Sequence, residues 1–415
     1  MSLRHPSNIG VKNGKTYDIA VSGDAQPEDI HGMQEEGKLS ERRLRVLIYS
    51  DHFFPSVGGS ENYAFDLASE LSRCGHYVGV ITSERKSVKD DFPFTIFRLE
   101  RPFSLYRINL NVLDIPRIIK SYRPELFHIN YQTGGENILI LLLKIMRIPI
   151  VITYHADHVM TLGKVIDELQ LVTTYRFAEN IVVQSALIKN KFRMRGISER
   201  KLNMIQFNGV DTNKYKYVHR PILNKKSLKL LCIARLDDSH KYKGVFELIE
   251  SINGMKRKKL DLDLFLNIIG DGNLRKSYEN KCRSNHLNNI NFLGDLSFED
   301  LLRQIYEASF LILPSISEAE GFGRVVLEAI SCGTPVIVSK YAGIAELIRK
   351  YDAGIVYDPE NFEKMIIDIN DVLNNHEKIQ QFIENGKKLI SEEQLTLYET
   401  TRKVIDVYYK SIGIT

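Results

Sequence analysis

The stretch Glu318-Ala319-Glu320-Gly321-Phe322-Gly323-Arg324-Val325-Val326-Leu327-Glu328-Ala329 decides the reading of this chain. It follows the apolar run Phe310–Pro314, which reads as a buried strand. Gly321 and Gly323 suit a tight turn that presents backbone N–H groups, and a helix opening near Gly323 carries Glu328 one to two turns inside. Glu320 stays in the loop. Carboxylates placed this way can grip separate hydroxyl clusters of one extended ligand, because a carboxylate accepts hydrogen bonds from vicinal diols. The plain alternative is one acidic loop residue and one exposed helical residue; the glycines and the strand-end position favour a ligand. Cys332-Gly333-Thr334-Pro335-Val336 closes the helix and opens the next strand.

Outward from this stretch the pattern is strand, helix, strand. Leu228–Ala234, Leu262–Ile269, Ile290–Leu293, Phe310–Pro314, Pro335–Ser339 and Gly354–Tyr357 read as strands separated by helical segments. Ser297-Phe298-Glu299-Asp300 reads as a capped helix start. The same alternation occupies the first half, with strands at Leu44–Tyr49, Tyr77–Thr82, Leu126–Asn130, Ile148–Tyr154 and Asn180–Gln184 and a helix near Ser60–Cys74. Such alternation implies parallel sheets covered on both faces. The expected fold is α/β, two facing Rossmann-like doubly wound domains. The expected boundaries are an extension over 1–42, a first domain over 43–212, a linker over 213–227 and a second domain over 228–390. A last helix near Glu393–Tyr409, within a 391–415 segment, follows. Residues 1–42 lack a hydrophobic period and read as a flexible extension.

Composition excludes several classes. With 415 residues, 43% hydrophobic and 26% charged, the chain is globular, with room for two or three domains. A net charge of +4 does not suggest a nucleic-acid binder. The four cysteines, Cys74, Cys232, Cys282 and Cys332, form no C-x-x-C pair, which disfavours zinc ribbons and redox motifs and leaves buried thiols in a reducing compartment. No signal sequence is visible, and the most apolar stretch, 138–154, is interrupted by Lys144 and Arg147. A cytoplasmic protein, peripheral at most on the inner face of a membrane, is expected.

Three further features suit an anionic ligand. Pro55-Ser56-Val57-Gly58-Gly59-Ser60-Glu61 follows the first strand and opens a helix, so Gly58 and Gly59 are candidates to cradle a diphosphate at a helix N-terminus. Arg235 and Lys243 flank a loop after the first strand of the second half, where two cations can neutralise a departing diphosphate; an ordinary solvated pair is the other reading. Gly270-Asp271-Gly272 also follows a strand. The dinucleotide fingerprint and the P-loop are both absent from these sites.

These motifs together resemble one family. Glu320 and Glu328 match the E-x7-E motif of the retaining glycosyltransferases of family 4, which have the GT-B fold. Thr153-Tyr154-His155, Asn208-Gly209-Val210-Asp211, Arg235…Lys243-Gly244 and Gly270-Asp271-Gly272 recur in the family's order. The resemblance runs from about Arg43 to the C-terminus, and implies that the last helix crosses back to the first domain. It implies transfer of a hexose or hexosamine from a nucleotide sugar, UDP before GDP, with no metal and no other cofactor. By the same resemblance, Arg235 and Lys243 stabilise the leaving diphosphate, and Gly58, Gly59, Gly270, Gly321, Phe322 and Gly323 line the donor site. Glu328 takes the ribose hydroxyls, Glu320 the donor sugar, and His155 orients that sugar; Asp157 is a candidate acceptor for the proton of the acceptor hydroxyl. No nucleophile for a covalent intermediate stands out, and a front-face path is implied. The loop before Gly244 is longer than the commonest family spacing, which leaves Lys241 as a rival to Lys243.

Charge divides unevenly along the chain. Residues 43–220 hold 25 basic and 17 acidic side chains, whereas residues 221–415 hold 26 and 28. The basic half is the expected acceptor side, and Leu187–Lys201 and Arg101–Arg123 are candidates to meet anionic lipid headgroups or a phosphorylated glycan. The acceptor is then a glycan or glycolipid of surface polysaccharide or lipopolysaccharide synthesis. Rival readings are a GT-B nucleotide-sugar epimerase, which the Glu320…Glu328 pair disfavours, and a non-catalytic sugar-nucleotide binding module.

Overall fold

The computed structural model describes residues 42–55, 59–83, 92–99, 104–105, 108–109, 114–130, 137–155, 175–184, 186–205, 209–219, 227–257 and 263–414. The 1–42 extension (apart from Arg42), Gly58, Asn208, Asp157, residues 220–226 of the linker and most of Arg101–Asn111 lie outside the described residues.

In the first half the strands are β1 (Arg45–Tyr49), β2 (Tyr77–Thr82), β3 (Thr95–Arg98), β4 (Ser104–Leu105), β5 (Ile108–Asn109), β6 (Leu126–Asn130), β7 (Ile150–Thr153), β8 (Asn180–Val183) and β9 (Leu202–Met204). All but the β4–β5 ribbon join one parallel sheet in the order β3-β2-β1-β6-β7-β8-β9. The second half supplies β10 (Ser227–Ile233), β11 (Asp263–Ile269), β12 (Ile290–Gly294), β13 (Phe310–Leu313), β14 (Val336–Ser339) and β15 (Ile355–Tyr357). These form a parallel sheet in the order β12-β11-β10-β13-β14-β15. The architecture is two Rossmann-like layers.

The sequence accounts for these elements directly. Every residue of β6, β7, β8, β13 and β14 is buried, because helices cover both faces of a parallel sheet. The helix Gly59–Arg73 buries Tyr63, Ala64, Leu67, Ala68 and Leu71, a stripe at helical spacing laid against the sheet. Ser297 caps the helix Phe298–Glu307 as expected, its Oγ accepting from the Asp300 amide at 3.1 Å.

Two expectations change. The edge strands β3 and β9 were not foreseen, because β3 is half-exposed along most of its length and β9 has three residues. The last helix spans Leu397–Ser411 rather than Glu393–Tyr409. The preceding helix, His376–Glu392, stops first; Gln394 takes a left-handed φ of 53°, and Thr396 restarts the chain with a capping box to Glu399. That helix returns to the first sheet: Tyr408 Oη lies 2.5 Å from His128 Nδ1 on β6, and Asn180 on β8 donates to Ser411 Oγ at 2.8 Å.

In each parallel sheet the order in which successive strands are added reverses at one neighbouring pair. In the first the reversal lies between β1 and β6, in the second between β10 and β13. Ligands of open α/β sheets bind in the crevice at the carboxyl ends of such strand pairs. The candidate residues from the sequence cluster at or beside these places.

Candidate active site

Two loops meet at the reversal point of the second sheet. One follows β10 and ends at Gly244; the other follows β13 and ends at Gly323. Gly244 has a left-handed φ of 70°, and a Cβ there would stand 2.0 Å from the Pro314 carbonyl oxygen, so only glycine lets the loops touch. The Ile316 amide donates to the Tyr242 carbonyl at 2.9 Å, fastening them further.

This seam brings Lys243 to Glu320. Lys243 Nζ donates to Glu320 Oε2 at 2.6 Å, and Ser315 Oγ donates to the same oxygen at 3.2 Å. Both side chains are largely buried, at 20% and 7% exposure. Burial pulls the Lys243 ammonium down, but the Glu320 carboxylate outweighs it and leaves the pKa above the usual lysine value. Lys243 is therefore a fixed positive charge at the strand ends. Lys241 is exposed and pairs with Asp238 at 2.8 Å, so of the two lysines only Lys243 reaches Glu320.

Arg235 is not drawn into that pair. It is half exposed and its Nε lies 3.2 Å from Asp237 Oδ2. Burial raises Asp237, yet hydrogen bonds from Ser239 and His240 and the neighbouring positive charges prevail and lower it to about 2. Gly270 closes β11 by donating to the Gly294 carbonyl at 2.9 Å, and its Cα packs on the Ala234 carbonyl, a role in loop packing. Phe322 is buried in the core of the second layer, and its carbonyl accepts from the Ile344 amide. Gly323 opens the helix Arg324–Ser331 with a left-handed φ.

Glu328 lies inside that helix and is buried. Burial raises its pKa, while Arg324, whose Nε donates to Glu328 Oε1 at 2.9 Å, and a Tyr215 hydrogen bond oppose the rise. Arg324 also grips Asp66 on the helix Gly59–Arg73 of the first layer. Glu320 and Glu328 thus occupy separate environments, one beside a lysine and one beside an arginine.

From the first layer, His155 stands two residues beyond the end of β7. Its Nε2 lies 2.6 Å from Asn130 Oδ1 at the end of β6. The Tyr63 ring meets it edge-on at 5.0 Å, and Gln184 Nε2 donates to its carbonyl at 3.4 Å. Desolvation pushes the His155 imidazole down to about 3, so it is neutral at pH 7. The same Gln184 reaches the other layer: a Cβ on Gly321 would stand 2.4 Å from Gln184 Oε1. His155 and the Glu320 loop are thereby linked through a single side chain. Gly59 begins its helix with open space where a Cβ would stand.

Four residues here escaped the sequence reading: Asn130, Gln184, Asp66 and Arg324. Arg324 lies inside the opening motif, and its spacing of four from Glu328 was the available signal. The others act across long separations and carry no local signal. Among the described residues, no group of three or more His, Cys, Asp or Glu side chains could hold a metal ion, all four cysteines are free thiols, and no helix is long and apolar enough to cross a membrane. The basic run 187–201 is partly structural. Lys189 pairs with Glu199 at 3.3 Å, and Lys201 donates to the Arg176 and Ala178 carbonyls; Arg193 and Arg200 remain exposed.

Comparison with known proteins agrees with this architecture. Residues 57–214 match the family model for Glycosyltransferase Family 4, and residues 216–389 match that for Glycosyl transferases group 1. An uncharacterised glycosyltransferase of Methanocaldococcus jannaschii is 27% identical over 350 residues, covering 83% of this chain and 93% of its own. An N-acetyl-alpha-D-glucosaminyl L-malate synthase of Bacillus anthracis is 24% identical, covering 84% and 94%. Among solved structures, a glycosyltransferase of Rickettsia africae superposes with a TM-score of 0.74 at 18% identity, covering 90% and 100%. Anabaena HepE in complex with UDP and glucose superposes with a TM-score of 0.71 at 19% identity, covering 88% and 99%.

Proposed function

The chain belongs to the GT-B glycosyltransferases, matching the family 4 and group 1 models in turn, and from that premise we propose that it is a retaining transferase moving a hexose or hexosamine from a nucleotide sugar to a glycan or glycolipid. The observation that carries this reading is the buried Lys243–Glu320 pair at the strand reversal of the second sheet, with His155 joined to the same loop through Gln184.

The roles follow from chemistry. Lys243 is a permanent cation placed to take up negative charge as the diphosphate leaves, and Arg235 is a second cation on the same loop. Glu320 accepts hydrogen bonds from hydroxyls of the donor sugar and Glu328 from the ribose, each carboxylate suiting a diol. The bond from the anomeric carbon to the phosphate oxygen breaks, the acceptor oxygen bonds on the same face, and its proton passes to the departing phosphate oxygen. No covalent intermediate is needed. UDP is preferred to GDP as the carrier; Anabaena HepE, of the same fold, was solved with UDP. Surface polysaccharide or lipopolysaccharide synthesis is the proposed setting, since WaaG, another protein of this fold, is a glycosyltransferase of lipopolysaccharide biosynthesis. The exposed arginines of the first layer then face an anionic acceptor or lipid surface.

The test is a screen of UDP- and GDP-sugars for thermal stabilisation of the full chain, followed by release of nucleoside diphosphate in the presence of acceptors. A ligand that binds only the native state raises its stability. Stabilisation by one nucleotide sugar, and a product retaining the anomeric configuration, are expected. An inverted product overturns the mechanism. Interconversion of nucleotide sugars without acceptor indicates an epimerase, and tight binding without turnover a binding module.

A further inference from the structure

We propose that Asp66 is a positioning residue for the ribose contact: by taking one half of the Arg324 guanidinium, it stops Arg324 from closing as a fork on Glu328 and keeps that carboxylate open to the ribose diol. The ribose contact rests on the glycosyltransferase reading of Glu328; the division of Arg324 between two carboxylates is a feature of the structure itself.

Nε and Nη2 form the edge of a guanidinium that matches a carboxylate, and an arginine beside one carboxylate commonly donates both to it. Arg324 does not. Its Nε donates to Glu328 Oε1 at 2.9 Å, one turn along the same helix, while its Nη2 donates to Asp66 Oδ2. Nη1 is buried and has no partner among the described residues, so the two carboxylates set the place of the group. Asp66 comes from the other layer. It is buried on the helix Gly59–Arg73, and its second oxygen lies 3.7 Å from Lys214 Nζ, which also meets Asp211 at 3.8 Å. The carboxylate that draws Nη2 away is thus held from its far side.

An ionised carboxylate offers roughly four acceptor sites. In Glu328 one receives Arg324 Nε and another the Tyr215 hydroxyl. About two remain, matching the two hydroxyls of a ribose. A fork from Arg324 would take one of these and set the guanidinium plane across both oxygens. The single Nε bond still serves the charge: burial raises the Glu328 carboxyl, and Arg324 is the strongest influence opposing that rise. Asp66 therefore leaves Glu328 its counter-charge and clears its remaining acceptor sites. A residue of the first layer governs a ligand contact of the second.

The experiment measures Kd by calorimetry for UDP and 2′,3′-dideoxy-UDP, with GDP and its dideoxy analogue in parallel, on the full chain. Wild type should prefer the ribose nucleotide by at least roughly tenfold, since hydrogen bonds to a charged group are lost with the diol. Glu328→Ala should bring that preference to within about twofold of unity. Asp66→Leu keeps a similar shape and offers no acceptor, so Arg324 closes on Glu328. The preference should fall at least about threefold, through weaker binding of the ribose nucleotide alone, with the dideoxy analogue within about twofold of wild type. Once Arg324→Met has removed the fork, Asp66→Leu should alter the preference by less than about twofold. Equal weakening of both nucleotides by Asp66→Leu marks a merely structural role and overturns the proposal. So does a preference unchanged from wild type, or the same change with and without Arg324. Melting temperatures identify a variant that fails to fold; Asp66→Ala then replaces Asp66→Leu, and without a folded Arg324→Met the Asp66 affinities decide alone. If wild type shows no preference, or Glu328→Ala keeps it, the reading of Glu328 as the ribose ligand fails and the inference falls with it. A preference lost in Glu328→Ala but kept in Asp66→Leu overturns the inference alone.

Discussion

Lys243→Met separates the two things the buried pair does. The substitution keeps an unbranched side chain one atom shorter and removes its charge, leaving Glu320 buried at 7% exposure with Ser315 as its remaining donor. Breaking a buried ion pair on one side costs about 3–5 kcal/mol. The residual 20% exposure of Lys243 and the Ser315 hydrogen bond set the expectation at the lower end, about 3 kcal/mol. For a domain of this size that corresponds to a fall in Tm of roughly 6–12 °C. Glu320→Gln in the same chain removes the orphaned charge, so the double variant should return to within about 1 kcal/mol of wild type. Turnover should not return. Loss of a cation that meets developing negative charge costs about 100- to 1,000-fold in kcat, and the double variant lacks that cation as fully as the single one. Denaturant unfolding and release of nucleoside diphosphate are measured on wild type, Lys243→Met and the double variant. The reasoning is refuted if Lys243→Met is as stable as wild type, or if the double variant regains both stability and turnover.

Other consequences can be checked more briefly. Lys241→Ala should leave turnover within about twofold and stability within about 1 kcal/mol, because its ion pair is exposed; a large rate loss there would place the diphosphate cation at Lys241 instead. Gly244→Ala should cost at least about 1–2 kcal/mol from the left-handed backbone alone and more as the loops are pushed apart, read as a lower denaturant midpoint with most activity lost. His128 and His155 have folded pKa values of about 3, below the ordinary 6.5. A depressed histidine contributes stability that is complete above the unfolded pKa and is lost as pH falls through the folded one. Unfolding free energy should therefore drop by up to about 1.4 kcal/mol per pH unit for each histidine between about pH 6.5 and about pH 3. His128→Asn should flatten that slope in urea titrations at stepped pH; an unchanged slope counts against the assignment.

The fold was legible because strands buried on both faces are written as unbroken apolar runs, as in Leu-Phe-His-Ile-Asn of β6 or Phe-Leu-Ile-Leu of β13. The edge strands lacked that signature, since one side of an edge meets solvent and tolerates residues such as Arg98 and Asn203. The start of the last helix was misplaced because Glu393 and Gln394 have good helix propensity, and only the left-handed turn at Gln394 stops the helix before them. At the site, Glu320 and Lys243 were readable because each stands next to a glycine, and Glu328 because it lies eight residues after Glu320 on the helix that Gly323 opens. Lys243 was separated from Lys241 only by the contact to Glu320, 77 residues away. Asn130 acquires its meaning from partners 25 to 80 residues distant, a relation that no local pattern records.

The return of the helix Leu397–Ser411 to the first sheet has a consequence for the order of folding. Tyr408 is wholly buried against His128, a contact spanning 280 residues, and Asn180 meets Ser411 across 231. The first layer therefore emerges from the ribosome well before its own core is complete, and must wait while the whole second layer is synthesised. Long loops of this kind slow folding, because closure entropy is spent before the contact rewards it. Until then His128 Nδ1 and Asn180 Nδ2 lack partners that only the end of the second half can supply. The two layers are separate in architecture and a single unit in time.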